Sequence, residues 1–161
     1  MVQAATAEMV PVALTTGEGT WLNVLGDLYR LLATGRDTNG AYAVLENKSF
    51  PQNGPPPHIH QSESESFYVM DGEFSFLCGD RSIRAMAGAF VHVPPGTLHT
   101  YKNVGNTPGR LLVVISPAGF ERLFEEIGHP ANDLSSAPAV DPAAIQKLFA
   151  LAPQYGLEIR M

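Results

Sequence analysis

Between residues 54 and 103 this chain sets turn formers at short intervals, and that spacing limits what it can fold into. Asp71-Gly72, Gly79-Asp80, Gly88 and Pro94-Pro95-Gly96 cut the stretch into brief apolar runs. Runs that short, bounded in this way, form strands rather than helices. We expect strands over 66–70, 73–78, 82–86, 90–93 and 99–103, with hairpin turns at Asp71-Gly72 and Gly79-Asp80. The pattern extends outward to strands at 21–24, 27–33, 41–48 and 110–116. Strands recurring about every 8–12 residues argue for an all-β sandwich or barrel.

Past Pro117 the period changes. Phe120, Leu123, Phe124 and Ile127 recur as one face of a helix. A second helix opens with Asp141 as N-cap and Pro142 in its first turn, and carries a stripe of Ile145, Leu148, Phe149 and Ala152. Both helices are expected to cover one flank of the barrel. A chain of 161 residues with 45% hydrophobic content suffices for one domain with a real core. We expect a single domain over 1–161, with an arm or edge strand at 1–19, the barrel at 20–117 and a helical segment at 118–161.

The formal net charge is -6 and no basic cluster occurs, which argues against a nucleic-acid partner. Cys78 is the only cysteine, so no internal disulfide can form. The first residues lack a basic region, contain Glu8, and do not read as a signal peptide. No apolar run approaches the ~20 residues of a membrane span. The expected location is the cytoplasm, with no membrane partner. The arm and the sheet edges suggest a homodimer.

Inside the strand-rich stretch lie three histidines and a carboxylate that could share one ion. His58 and His60 are two apart, so on an extended strand both rings project to one face. Pro55-Pro56-Pro57 precedes them as a rigid approach that cannot sit within a sheet. Glu65 lies an odd number of steps from His60, so a turn or bulge within residues 61–64 is needed to bring it to the same side. Glu63 is the competing carboxylate, and the spacing to Gly72 favours Glu65. His99 follows the Pro94-Pro95-Gly96 turn and arrives from a distant strand. Imidazoles with a carboxylate suit a divalent transition metal such as iron, nickel, manganese, copper or zinc. His92 and His129 have no comparable setting.

These residues resemble the two motifs of the cupin superfamily. Gly54, His58, His60, Glu65 and Gly72 follow the first motif, with a shorter gap than usual after Gly54. Gly88, Pro94, Gly96, His99 and Asn103 follow the second. The runs at 54–60, 65–72 and 120–128 further resemble single-domain cupins similar to bacterial quercetin 2,3-dioxygenase. The resemblance implies a double-stranded β-helix, or jelly-roll barrel, with C-terminal α-helices. It implies one metal held by His58, His60, Glu65 and His99, and oxidative ring cleavage of a flavonol or other enolic or aromatic substrate. In that chemistry Glu65 would serve as both ligand and catalytic base.

Strand parity groups Phe67 and Val69 with Glu65, and Tyr101 with His99. With Phe76 they are the expected substrate contacts, and Phe74 and Phe90 are further candidates. Two other classes stay open: a non-catalytic cupin that binds a small ligand, and an isomerase, decarboxylase or lyase using the same metal site.

Overall fold

Alternation along the strands builds two layers with a shared interior. In the strand Gly109–Ser116, for example, Leu111, Val113 and Ile115 are buried while Arg110 and Ser116 face outward. The computed structural model describes residues 9–161. In chain order its strands are β1 (Trp21–Val24), β2 (Asp27–Ala33), β3 (Ala43–Ser49), β4 (His58–His60), β5 (Ser64–Asp71) and β6 (Glu73–Cys78). Next come β7 (Arg81–Met86), β8 (Phe90–Val93), β9 (His99–Asn103) and β10 (Gly109–Ser116). Helix α1 (Glu121–Ile127), the short β11 (His129–Pro130), helix α2 (Pro142–Leu151), a 3-10 turn (Ala152–Tyr155) and β12 (Leu157–Ile159) complete the chain. One sheet runs β11-β1-β2-β3-β10-β5-β8, the other β12-β4-β9-β6-β7. All pairings are antiparallel. The fold is the all-β jelly-roll barrel that the motifs implied.

Aromatic rings fill the interior. Phe67 from the first sheet meets Phe76 from the second with ring centroids 5.2 Å apart, and Tyr101 lies 5.7 Å from Phe67. Burying each such ring contributes about 2–3 kcal/mol.

Asp71-Gly72 is not the hairpin that local pattern suggested. β5 pairs with β10 and β8, whereas β6 pairs with β7 and β9. The chain therefore changes sheets at Gly72. That corner needs glycine twice over: φ is +86°, and an added Cβ would stand 2.8 Å from the Gly109 Cα. Gly79-Asp80 does close a hairpin, with Cys78 opposite Arg81.

Residues 9–20 form no strand and are exposed, so the arm is not an edge strand there; residues 1–8 lie outside the described residues. In α1, Leu123 and Ile127 are buried as their spacing required. Glu121, also buried, ties the helix start down by accepting from Gly35 N at 2.8 Å and Gly119 N at 2.6 Å. In α2, Asp141 caps the helix by accepting from Ala143 N at 2.9 Å. Its buried face, however, is Ala144 and Leu148, while Ile145 and Phe149 are 38% and 43% exposed. α2 packs chiefly on α1 and on its own 3-10 extension, so only a narrow stripe is covered. No helix among the described residues is long and apolar enough to cross a membrane.

Candidate metal centre

β4 is only three residues long and has a strand on each side. β12 pairs Leu157 with His60 and Ile159 with His58, while β9 sets His99 opposite His58. Two of the three histidines are thus neighbours across one ladder step. The loop before β4 is pinned to the end of β9, through Gln52 N to Asn103 O and Asn103 N to Asn53 O, each at 2.9 Å. Gly54 lies so close beneath β9 that an added Cβ would fall 1.9 Å from the Tyr101 carbonyl oxygen. No other residue fits without moving the strand that carries His99.

The parity conflict between His60 and Glu65 dissolves because the chain leaves one sheet after His60 and joins the other at Ser64. Glu65 then faces the histidines from across the barrel. Its Oε2 lies 2.7 Å from His99 Nε2, 3.2 Å from His60 Nε2 and 3.7 Å from His58 Nε2. One ligand atom from each of the four residues falls within 4.8 Å of all the others, and all four residues are buried. His58 Nδ1 donates to Pro56 O at 2.8 Å and His99 Nδ1 to Thr97 O at 2.9 Å, which orients both Nε2 atoms inward.

Glu63 takes a different place from its competitor. Its Oε2 stands 3.8 Å from His60 Nδ1, on the ring edge away from Glu65. Both His60 nitrogens and Glu63 Oε2 are buried without a hydrogen-bond partner. A buried imidazole left unsatisfied at both nitrogens is costly. A cation among the four donors would satisfy Nε2, so this cluster fits a metal ion. Burial alone would raise the Glu65 carboxyl, yet electrostatic attraction to the surrounding imidazoles, His60 foremost, and the hydrogen bond from His99 hold it well below the usual carboxylate range. For His99, burial works against the proton, but the Glu65 hydrogen bond outweighs it and the imidazole is raised above its ordinary value.

Beside the cluster lies a cavity of ≈ 80 Å³, with His58 and Glu65 on its wall. A single water needs about 10–15 Å³ on this measure, so the space admits a small organic group. Tyr29, Phe67, Tyr101, Phe120, Leu123 and Phe124 are part of its largely apolar lining. Phe120 also meets the His60 ring edge-on at 4.3 Å. Helix α1 therefore closes this side of the barrel, which its apolar face alone only suggested.

Of the expected substrate contacts, Phe67 and Tyr101 reach the cavity. Val69 and Phe76 are wholly buried in the core and are not part of its wall. Phe74 is likewise core, and Phe90 is 63% exposed on the outside. Asp27, Tyr29 and Asn53 line the cavity without having been singled out, because no local spacing links β2 to the histidines. His92 meets Ser66 at the surface and His129 meets Asp141, both away from the cluster.

The cupin domain profile matches residues 50–115, the span that holds all four donors. The chain carries a cupin domain. Two relatives are quercetin 2,3-dioxygenases. The Bacillus subtilis enzyme is 29% identical over 121 residues, covering 75% of this cupin and 36% of the relative. The Aspergillus japonicus enzyme is 29% identical over 120 residues, covering 70% and 34%. This cupin thus spans about a third of the length of these relatives. Its fold is similar to KdgF from a Halomonas species, with a TM-score of 0.58 and 18% identity over 66% of this chain and 99% of that one. It is also similar to a predicted oxalate decarboxylase from Thermotoga maritima, with a TM-score of 0.59 and 23% identity over 67% and 99%.

Proposed function

We propose that this cupin is a metal-dependent dioxygenase that cleaves an enolic or aromatic substrate of the flavonol kind. The observation that carries the reading is the placement of His58 and Glu65 on the wall of an apolar, aromatic-lined cavity, with His60 and His99 behind them. His58, His60, Glu65 and His99 would hold one divalent transition metal. When bound, such an ion supplies Lewis-acid activation of an enolic hydroxyl and a template for its reaction with dioxygen. The likeness to two quercetin 2,3-dioxygenases supports the same substrate class.

The chain's own residues account for the remaining requirements. Glu65, ionised and on the cavity wall, is the base for the substrate hydroxyl proton. Phe67 and Phe120 flank the cluster and exclude water from it. Phe124, stacked on Tyr29 at 4.7 Å, stiffens the opposite wall. A small dicarboxylate would find no lysine or arginine on this lining.

Oxygen uptake with a flavonol such as quercetin, on protein whose metal content has been measured, tests the reading. Uptake should follow metal content, and Glu65→Gln should retain more metal than activity. Turnover without oxygen would instead identify an isomerase, decarboxylase or lyase, and tight binding without turnover a ligand-binding cupin.

A further inference from the structure

The cavity has further polar side chains, besides the four metal donors, that the chemistry above does not use. Tyr29 on β2 and Tyr101 on β9 both line the cavity, and their hydroxyls lie 2.9 Å apart. Asn47 stands behind them, wholly buried. Its Nδ2 donates to Leu28 O at 3.4 Å, which turns Oδ1 toward Tyr101. Tyr101 donates to that Oδ1 at 3.2 Å. With its one proton committed there, Tyr101 can only accept from Tyr29. Tyr29 in turn has no proton left and keeps its lone pairs free.

The adjoining side chains have the same polarity. Asp27 lines the cavity, and its Oδ1 accepts from Asn53 Nδ2 at 2.7 Å and Phe50 N at 3.1 Å. Asn53 spends its amide protons on Asp27 and, at 3.5 Å, on Leu25 O. Outside the metal cluster, the side-chain protons on this wall are already committed within the protein, and no lysine or arginine lines it. Burial raises the Tyr29 phenol well above its ordinary value and also raises Tyr101, so both remain neutral hydroxyls.

We propose that Tyr29 forms an acceptor-only subsite, set by the Tyr29–Tyr101–Asn47 chain, which binds a hydroxyl of an uncharged aromatic ligand and rejects carboxylates. A ligand hydroxyl supplies the donor that this wall lacks. A carboxylate brings further acceptors and a negative charge to a wall with nothing to give it, and a group left unpaired there is heavily penalised. The subsite deepens the proposed function, because it takes this cavity to be the substrate pocket.

Binding can be measured calorimetrically under nitrogen on protein of known metal content, with hydroquinone, 4-methylphenol, 4-methoxyphenol and 4-hydroxybenzoate as probes. Hydroquinone should bind about threefold to tenfold tighter than 4-methylphenol, the share of one neutral hydrogen bond, and 4-hydroxybenzoate should bind weakest. Tyr29→Phe should remove the advantage of hydroquinone and leave 4-methylphenol unchanged. Tyr101→Phe releases the Tyr29 proton toward the cavity, so 4-methoxyphenol should gain affinity. A purely structural pair would weaken all four probes alike in both variants.

Equal affinity for hydroquinone and 4-methylphenol overturns the proposal. So does 4-hydroxybenzoate binding as tightly as hydroquinone, or no phenol binding at millimolar concentration in protein whose fold is verified by near-ultraviolet circular dichroism. Intact probe order with no oxygen uptake on any flavonol would sink the dioxygenase reading alone.

Discussion

The Nε2 atom of His99 lies 2.7 Å from the Oε2 atom of Glu65, across the barrel and 34 residues away along the chain. His99 comes from β9 in one sheet and Glu65 from β5 in the other. Their contact makes the four-donor cluster a property of the closed barrel, not of either sheet. It also explains why the two cupin motifs, each on its own strands, act as one site.

Removing His99 should therefore empty the site without unfolding the barrel. His99→Ala is expected to bind little metal while keeping wild-type far-ultraviolet circular dichroism. Mass-spectrometric metal analysis of the purified variant is the check, and unchanged metal stoichiometry would refute the ligand assignment.

Glu63 should matter less, and differently. It stands behind His60 at Nδ1 and would orient the ring when a metal occupies the front. Glu63→Gln is expected to lower metal affinity by about tenfold, at the mild end for groups that support a ligand. A chelator-competition titration measures this, and a loss as large as that of His99→Ala would make Glu63 a ligand in its own right.

Gly54→Ala should be among the most damaging single-methyl changes in the chain. The new Cβ meets the Tyr101 carbonyl at 1.9 Å, a backbone atom that cannot rotate aside. We expect a loss of about 2–4 kcal/mol, above the usual range for overpacking because the strand itself must shift. Urea unfolding gives the value; a loss below ~1 kcal/mol would show that the loop moves freely.

Acid should weaken the barrel partly through Glu46. Burial raises this carboxyl, but hydrogen bonds from Arg110 and Arg30 on the flanking strands outweigh it and leave it below its ordinary value. A depressed acid stabilises the fold above its unfolded-state pKa and loses that contribution as pH falls through its folded-state pKa. Wild-type stability should accordingly decline from about pH 5 downward, and Glu46→Gln should be less stable at pH 7 with a flatter acid limb. Denaturation midpoints at several pH values settle it, and parallel limbs for the two proteins would remove Glu46 from the account.

Much of this protein is legible in its amino-acid order alone. Strand positions, the Asp141 cap, the apolar face of α1 and the four donor residues all follow from local rules: alternation, turn chemistry and motif spacing. Each depends on residues a few positions apart, so the chain states them directly. The sheet to which a strand belongs is not a local property. Asp71-Gly72 has the composition of a hairpin, yet the need to bury both faces of the interior sends β6 to the opposite sheet. The same closure sets Glu65 against His99, and against His60 despite the odd step between them, and brings Tyr29 to the cavity from a strand with no motif of its own. It also leaves Ile145 and Phe149 of α2 uncovered, because a helix buries only the side that finds a neighbour. The amino-acid order determined the strands and the chemistry they could carry; burial of two sheets against each other decided which side chains would meet.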